Sequence, residues 1–216
     1  MGSCKALVWV TFAAMSANLD TAHGDEPWID LFNGENLEGW RPNVLPESWS
    51  VEDGAIRAHA TRPYSHLLYV GSWDEDGYPR FDDFVLELEV KTEPSSNGGI
   101  FIHTDFDSVG AKNRLTRGLE VQINNTEKEK RKTGSLYQVV DLASSPVDET
   151  SWFAVRITTL DQRITIEVND ALVVDYTEPE NVEGKPMLQP NGGAIALQAH
   201  DPDSVVYYRS IRVRRL

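Results

Sequence analysis

The clearest pattern in the chain is the alternation of apolar and polar residues over 118–124, Gly-Leu-Glu-Val-Gln-Ile-Asn. A strand has a side-chain period of two, so Leu119, Val121 and Ile123 share one face while Glu120, Gln122 and Asn124 share the other. One face can join a core, and the other sets a carboxylate in line with two amides. The period recurs along the chain. Phe84, Leu86, Leu88 and Val90 alternate with Val85, Glu87, Glu89 and Lys91, and Ile100 and Ile102 alternate with Phe101, His103 and Asp105. Ile195, Leu197 and Ala199 stand against Ala196, Gln198 and His200, and residues 205–213 alternate in the same way. Residues 133–139, 152–157 and 164–174 also read as strands, the last a hairpin turning at Asn169-Asp170. Asn33-Gly34 and Asp53-Gly54 are further turn signals, residues 71–80 form an acidic loop, and residues 124–133 form a mobile charged loop. No segment carries an amphipathic helix of useful length. Short strands separated by turn residues predict an all-β sandwich.

Residues 1–24 have the composition of an export signal: Lys5, an apolar run over 6–17 and the small-residue site Ala22-His23-Gly24. Cleavage there leaves residues 25–216 as one periplasmic or secreted domain, with no membrane insertion afterwards. The only cysteine, Cys4, leaves with the signal, which removes disulfide, thiol and thiolate-metal chemistry. A formal net charge of −14 opposes nucleic acid or an anionic membrane surface as partner.

A sandwich uses one face of each sheet for its core, so the polar rows of adjacent strands can line a groove. Glu120, Gln122, His103, Gln198, His200 and Tyr137 are the residues expected there, with Asn124 in the same row as Glu120. The chain has no Gly-x-Ser-x-Gly elbow, no His-Glu-x-x-His and no phosphate loop, so acyl transfer, zinc proteolysis and nucleotide chemistry lack machinery. An ordinary glycosidase needs a second carboxylate. Gln122 and Asn124 stand where a sandwich glycanase would carry one.

Residues 31–40, 97–101, 118–123, 133–137 and 195–200 resemble, in order, the motifs of the 3-keto-disaccharide hydrolase domain family. The resemblance implies a concanavalin A-like jelly-roll β-sandwich of two antiparallel sheets, bacterial export and cleavage of 3-keto-glycosides. That chemistry suits a single carboxylate, because a ketone at C3 acidifies the C2 proton and places the C1 oxygen beta to the carbonyl. Glu120 or His200 is then the catalytic base, and His103, Gln122, Asn124, Tyr137 and Gln198 hold the sugar. A divalent cation held by the two histidines and the glutamate is an open option, although their spacing is no recognised metal signature. The chain departs from the family pattern at His103, where an Arg is usual, at Asn124-Asn125, where an acid follows the strand, and at Phe153, where an Asn is usual. The competing expectation is a non-catalytic carbohydrate-binding sandwich.

Overall fold

The computed structural model describes residues 26–75, 77–180 and 188–216; the expected export signal and Cys4 lie outside them. The strands are β1 Ile29–Asp30, β2 Trp40–Pro42, β3 Trp49–Glu52, β4 Ala55–Ala58, β5 Ser65–Tyr69, β6 Phe84–Thr92 and β7 Asn97–Thr104. They continue with β8 Leu119–Asn124, β9 Phe153–Leu160, β10 Arg163–Val168, β11 Ala171–Thr177, β12 Ala194–Ala199 and β13 Val206–Arg215. Two antiparallel sheets result. The larger has eight strands in the order β11-β10-β9-β6-β13-β4-β3, with β1 beside β13, and the smaller has five in the order β2-β5-β12-β7-β8. Among the described residues no helix is long and apolar enough to cross a membrane.

The alternation explains the layering. Leu86, Leu88 and Val90 of β6 meet Ile100 and Ile102 of β7, Val121 and Ile123 of β8 and Leu197 of β12 in one core between the sheets. Each such side chain gains about 1.5–3 kcal/mol on leaving water, and a one-residue slip of any strand would turn that row outward. The hairpins form where the turn residues tolerate a left-handed backbone: Asp53 and Gly54 join β3 to β4 at φ 49° and 74°, and Asn169 and Asp170 join β10 to β11 at φ 47° and 63°.

Two expectations are corrected. Residues 133–139 are not a strand. They run beside β8 through single bridges, with Gln122 N–H donating to the Ser135 carbonyl and Tyr137 N–H to the Glu120 carbonyl. The chain then turns back at Leu136–Val140, with Gln138 at φ 62°, so the stretch closes the β8 edge. The period-two reading also fails at the end of β7. The pairing with β12 shifts between Ala194 and Ala196, and His103 sits at φ 52°, so its side chain leaves the row that Phe101 begins.

Candidate active site

The outward face of the smaller sheet is divided. Leu68, Val70, Phe101, Ala194 and Ala196 form an apolar half, covered by Trp73, Tyr78, Phe106 and Leu115 from the loops around it. The other half is polar and open. Strand register places His66, Gln198, Gly99 and Gln122 in one transverse row, and Phe101 and Glu120 side by side in the next. This row floors a cavity of about 200 Å³ whose walls include Tyr64, Arg114, Tyr137 and His200.

The floor depends on two adjacent glycines. A Cβ on Gly99 would stand 2.5 Å from Glu120 Oε1, and one on Gly98 would stand 2.9 Å from Val206 Cγ2 and 3.1 Å from the Tyr208 hydroxyl. Gly99 thus lets the Glu120 carboxyl lie across the strand above, while Gly98 lets Tyr208 of the opposite sheet pack below. The Tyr208 hydroxyl donates to the Gly99 carbonyl at 3.3 Å, which fixes the glycine pair from beneath.

Glu120 is the most perturbed carboxylate of the floor. Burial pushes its carboxyl up to about 8, against the pull of the Arg114 charge and a hydrogen bond from the Gln198 amide. His66 moves the other way: burial lowers it to about 3, reinforced by His200 and opposed by the Asn113 carbonyl, so its ring stays neutral. The ring meets Phe101 edge-on at 5.1 Å and has the Gln198 amide nitrogen 3.5 Å from Nε2. Gln122 donates from Nε2 to Asn97 Oδ1 at 2.6 Å. Gln122 Oε1 and Gln198 Oε1 are both buried without a protein partner. An unsatisfied buried acceptor costs about 1–3 kcal/mol, and both side chains border the cavity.

The rim supplies the remaining polar groups. His200 Nδ1 lies 2.6 Å from Asp201 Oδ2, and its ring meets Tyr64 edge-on at 4.8 Å. Burial raises the Asp201 carboxyl, but its bonds to His200 and Ser204 hold it below the ordinary value. Arg114 donates to the Tyr64 hydroxyl and stacks over that ring at 4.5 Å. Tyr64 holds this place with a left-handed backbone, φ 62°, a conformation that costs a non-glycine residue free energy. Tyr137 stands opposite with Arg131 over its ring at 4.7 Å.

Of the residues expected from sequence, Glu120, Gln122, Gln198, His200 and Tyr137 converge on the cavity. His103 and Asn124 do not. The Gln189 N–H donates to His103 Nδ1 at 3.0 Å, so Nε2 carries the proton and donates to the Asp82 carbonyl at 3.0 Å, with the ring stacked on Phe84. Both nitrogens are used in holding loops together, and burial lowers the ring's proton affinity. Asn124 is fully occupied too: its Nδ2 donates to the carbonyls of Glu129 and Arg131, and its Oδ1 accepts from the Thr126 N–H and hydroxyl. It shapes the 125–132 loop instead of touching a ligand. With His103 turned away, the set of two histidines and one glutamate is not assembled, and among the described residues no three His, Cys, Asp or Glu side chains converge on a metal-sized site.

Sequence reasoning missed His66, Tyr64 and Arg114. The alternation Ser65-His66-Leu67-Leu68 marks His66 as opposite in face to Leu67, a usable signal. Arg114 lies in a loop after a 3-10 turn at Ala111–Asn113, where no period reports direction.

Known proteins give this geometry its relatives. A 3-keto-disaccharide hydrolase of Bacteroides thetaiotaomicron is 30% identical over 84 residues, a match spanning 34% of this chain and 26% of that protein's length. The crystal structure of a proposed glycosyl hydrolase from Parabacteroides distasonis superposes with a TM-score of 0.69 at 19% identity, covering 88% of this chain and 94% of that one. A carbohydrate-binding module from Bacillus subtilis superposes with a TM-score of 0.57 at 14% identity, over 83% of this chain and 97% of that one. These two likenesses show the shared fold, a concanavalin-like sandwich. Residues 27–214 match the 3-keto-alpha-glucoside-1,2-lyase-like domain, and the chain belongs to that family.

Proposed function

We propose that this protein cleaves 3-keto-glycosides by elimination followed by hydration, with the oxidised sugar in the 200 Å³ cavity. The observation that carries the reading is the floor itself: one desolvated carboxylate, Glu120, beside two buried and unpartnered amide oxygens, Gln122 Oε1 and Gln198 Oε1. The amide oxygens accept from ring hydroxyls. Glu120 removes the proton from C2, giving an enolate whose charge develops on the C3 oxygen, and Arg114 is the cation near enough to attract it. The enolate expels the C1 oxygen, leaving a C1–C2 double bond conjugated with the ketone. Water then adds at C1 and restores the C2 proton, for a net hydrolysis.

The leaving oxygen needs a proton from a group facing both the sugar and its substituent. His200 borders the inner cavity and also the larger cavity beside it, whereas Glu120 borders only the inner one. His200, oriented by Asp201, is therefore assigned as the acid, and Glu120, with its affinity raised toward neutral pH, as the base. No step as drawn requires a metal ion. Together with the signal-like residues 1–24, this describes an exported, glycoside-active enzyme whose partner is carbohydrate.

Incubation of the purified protein with methyl 3-keto-glucoside, with and without chelator, tests the reading. Release of methanol in both conditions, lost in Glu120→Gln, is the expected result. Binding of unoxidised sugar with no release from the keto-glycoside would replace the enzyme reading with a carbohydrate-binding module.

A further inference from the structure

His66 lines the cavity, yet the reaction drawn above gives it no task. Asn43 clamps its backbone from both sides: the His66 N–H donates to Asn43 Oδ1 at 3.0 Å, and the Asn43 N–H donates to the His66 carbonyl at 2.9 Å. Antiparallel register makes Gln198 of β12 its direct neighbour, so the two side chains share a face. The ring is fully buried. The Asn113 carbonyl favours a proton on it, but Nδ1 has no partner in hydrogen-bonding geometry. An apolar side chain of similar size would avoid that cost, so packing alone does not account for a histidine here.

Gln198 stands between His66 and Glu120. Its amide nitrogen lies 3.5 Å from His66 Nε2 and donates to the Glu120 carboxyl. Its amide oxygen is buried with no protein partner, so nothing at that end fixes which way the amide points. The neighbours of the nitrogen decide it. An ionised carboxylate only accepts and so favours the amide nitrogen, whereas a protonated carboxyl can donate and so favours the amide oxygen. Neutral His66 with its proton on Nδ1 presents a lone pair at Nε2. A flipped amide would set the Gln198 oxygen against that lone pair. The contact is long for a hydrogen bond, but it is attractive in one orientation and repulsive in the other.

We infer that His66 is a positioning residue for Glu120: its Nε2 accepts from the Gln198 amide and thereby keeps the other amide hydrogen on the Glu120 carboxylate. Its role in turnover rests on the reading of Glu120 as the base given above. The consequence is that the ionised, working form of the base is favoured. The other charged or titratable groups facing the carboxyl are Arg114, Glu129, Tyr137 and Tyr208, and His200 faces His66. Among the described residues none of these hydrogen-bonds to the His66 ring, so replacing it leaves their contacts with Glu120 in place.

His66→Leu keeps nearly the same volume and cannot accept, His66→Met does the same with a more adaptable chain should leucine not pack, and His66→Gln restores an acceptor. Carbon-13 titration of the Glu120 carboxyl in labelled protein, its signal identified with Glu120→Gln, is set beside the rising limb of kcat/KM for methyl 3-keto-glucoside. A hydrogen bond to a charged group is worth about tenfold or more. His66→Leu or His66→Met is therefore expected to move the carboxyl midpoint and the rising limb upward together by about one pH unit. At pH 7 it should lose on the order of tenfold in kcat/KM, recovering toward wild type at higher pH. His66→Gln should restore most of both. Variants that melt lower but keep the wild-type midpoint, or a His66→Gln protein shifted as far as the apolar ones, would overturn the inference. A midpoint that moves as expected in a protein unable to turn over methyl 3-keto-glucoside would uphold the coupling and overturn the assignment of Glu120 as catalytic base.

Discussion

Replacing the floor carboxylate should abolish turnover and make the protein more stable. In the unfolded chain Glu120 titrates near 4.5, whereas burial against Gly99 and Gln198 moves it to about 8. Between those values the folded protein holds a proton that the unfolded chain has released, so folding stability falls as pH rises through 4.5 to 8 and levels off above. At pH 7 the gap that counts is about 2.5 units, worth roughly 3 kcal/mol at ~1.36 kcal/mol per unit. Solvent entering through the cavity mouth brings this nearer to 2 kcal/mol, on the order of the effects seen when a buried polar group is relieved. Glu120→Gln keeps the volume and an oxygen that can accept from Gln198, but it has no proton to hold. Its melting temperature should therefore exceed wild type by roughly 4–8 °C at pH 7, since a chain of this size gains about 2–4 °C per kcal/mol. At pH 4 the two proteins should melt together, and at pH 9 the gap should widen. Calorimetric melts at the three pH values provide the measurement. A difference that stays constant with pH, or a variant less stable than wild type at pH 7, would refute the claim that the carboxyl is held under desolvation strain.

The same carboxyl should govern the rising limb of the pH profile: kcat/KM is expected to climb with pH as Glu120 ionises towards about 8, because the base works only when ionised. Arg114→Met removes the cation that opposes burial, so the midpoint should move upward and activity at pH 7 should drop; an unshifted midpoint would argue against the Arg114–Glu120 coupling. Gly99→Ala pushes a methyl to within 2.5 Å of Glu120 Oε1 and should cut kcat on the order of a hundredfold while circular dichroism stays native. His103→Ala loses two hydrogen bonds and a ring stacked on Phe84, which should cost about 2–3 kcal/mol in urea titration with kcat/KM kept within a few fold, the ring being outside the cavity.

The sandwich was legible in the sequence because each sheet strand buries one face, and period two records that directly. The floor was legible for the same reason: Glu120 and Gln122 on β8 and Gln198 on β12 point where alternation sends them. His103 shows where the rule stops. A left-handed backbone at that residue and the bulge opposite it break the period, and neither leaves a mark in a histidine at an otherwise regular position. Asn124 fails differently. It points to the correct face, but the loop following it turns back to consume both ends of its amide, and competition among loop carbonyls is invisible to periodicity. Arg114 and Tyr64 were out of reach because loops direct them, through a cation–aromatic contact between residues fifty positions apart.

The cavity raises one rival chemistry, since Glu129 borders it as well as Glu120 and ordinary glycosidases work with two carboxylates. Their environments even push them apart, Glu120 up and Glu129 down. Yet Glu129 is already committed. Burial raises it, but the Arg131 N–H at 2.9 Å and guanidinium at 3.3 Å outweigh that and hold it ionised. It also stands on the loop organised by Asn124, not on a strand facing the sugar. A carboxylate tied to an arginine is a poor nucleophile, and one held far below neutral pH is a poor acid. An unoxidised glucoside offers Glu120 no acidic C2 proton either, so methyl glucoside should not be cleaved, while its 3-keto counterpart should. Glu129→Gln separates the readings further. If Glu129 serves only the loop, the variant weakens KM and leaves the rising pH limb of the keto-glycoside reaction in place. Cleavage of methyl glucoside by wild type and its loss in Glu129→Gln would instead make the pair a conventional acid and nucleophile.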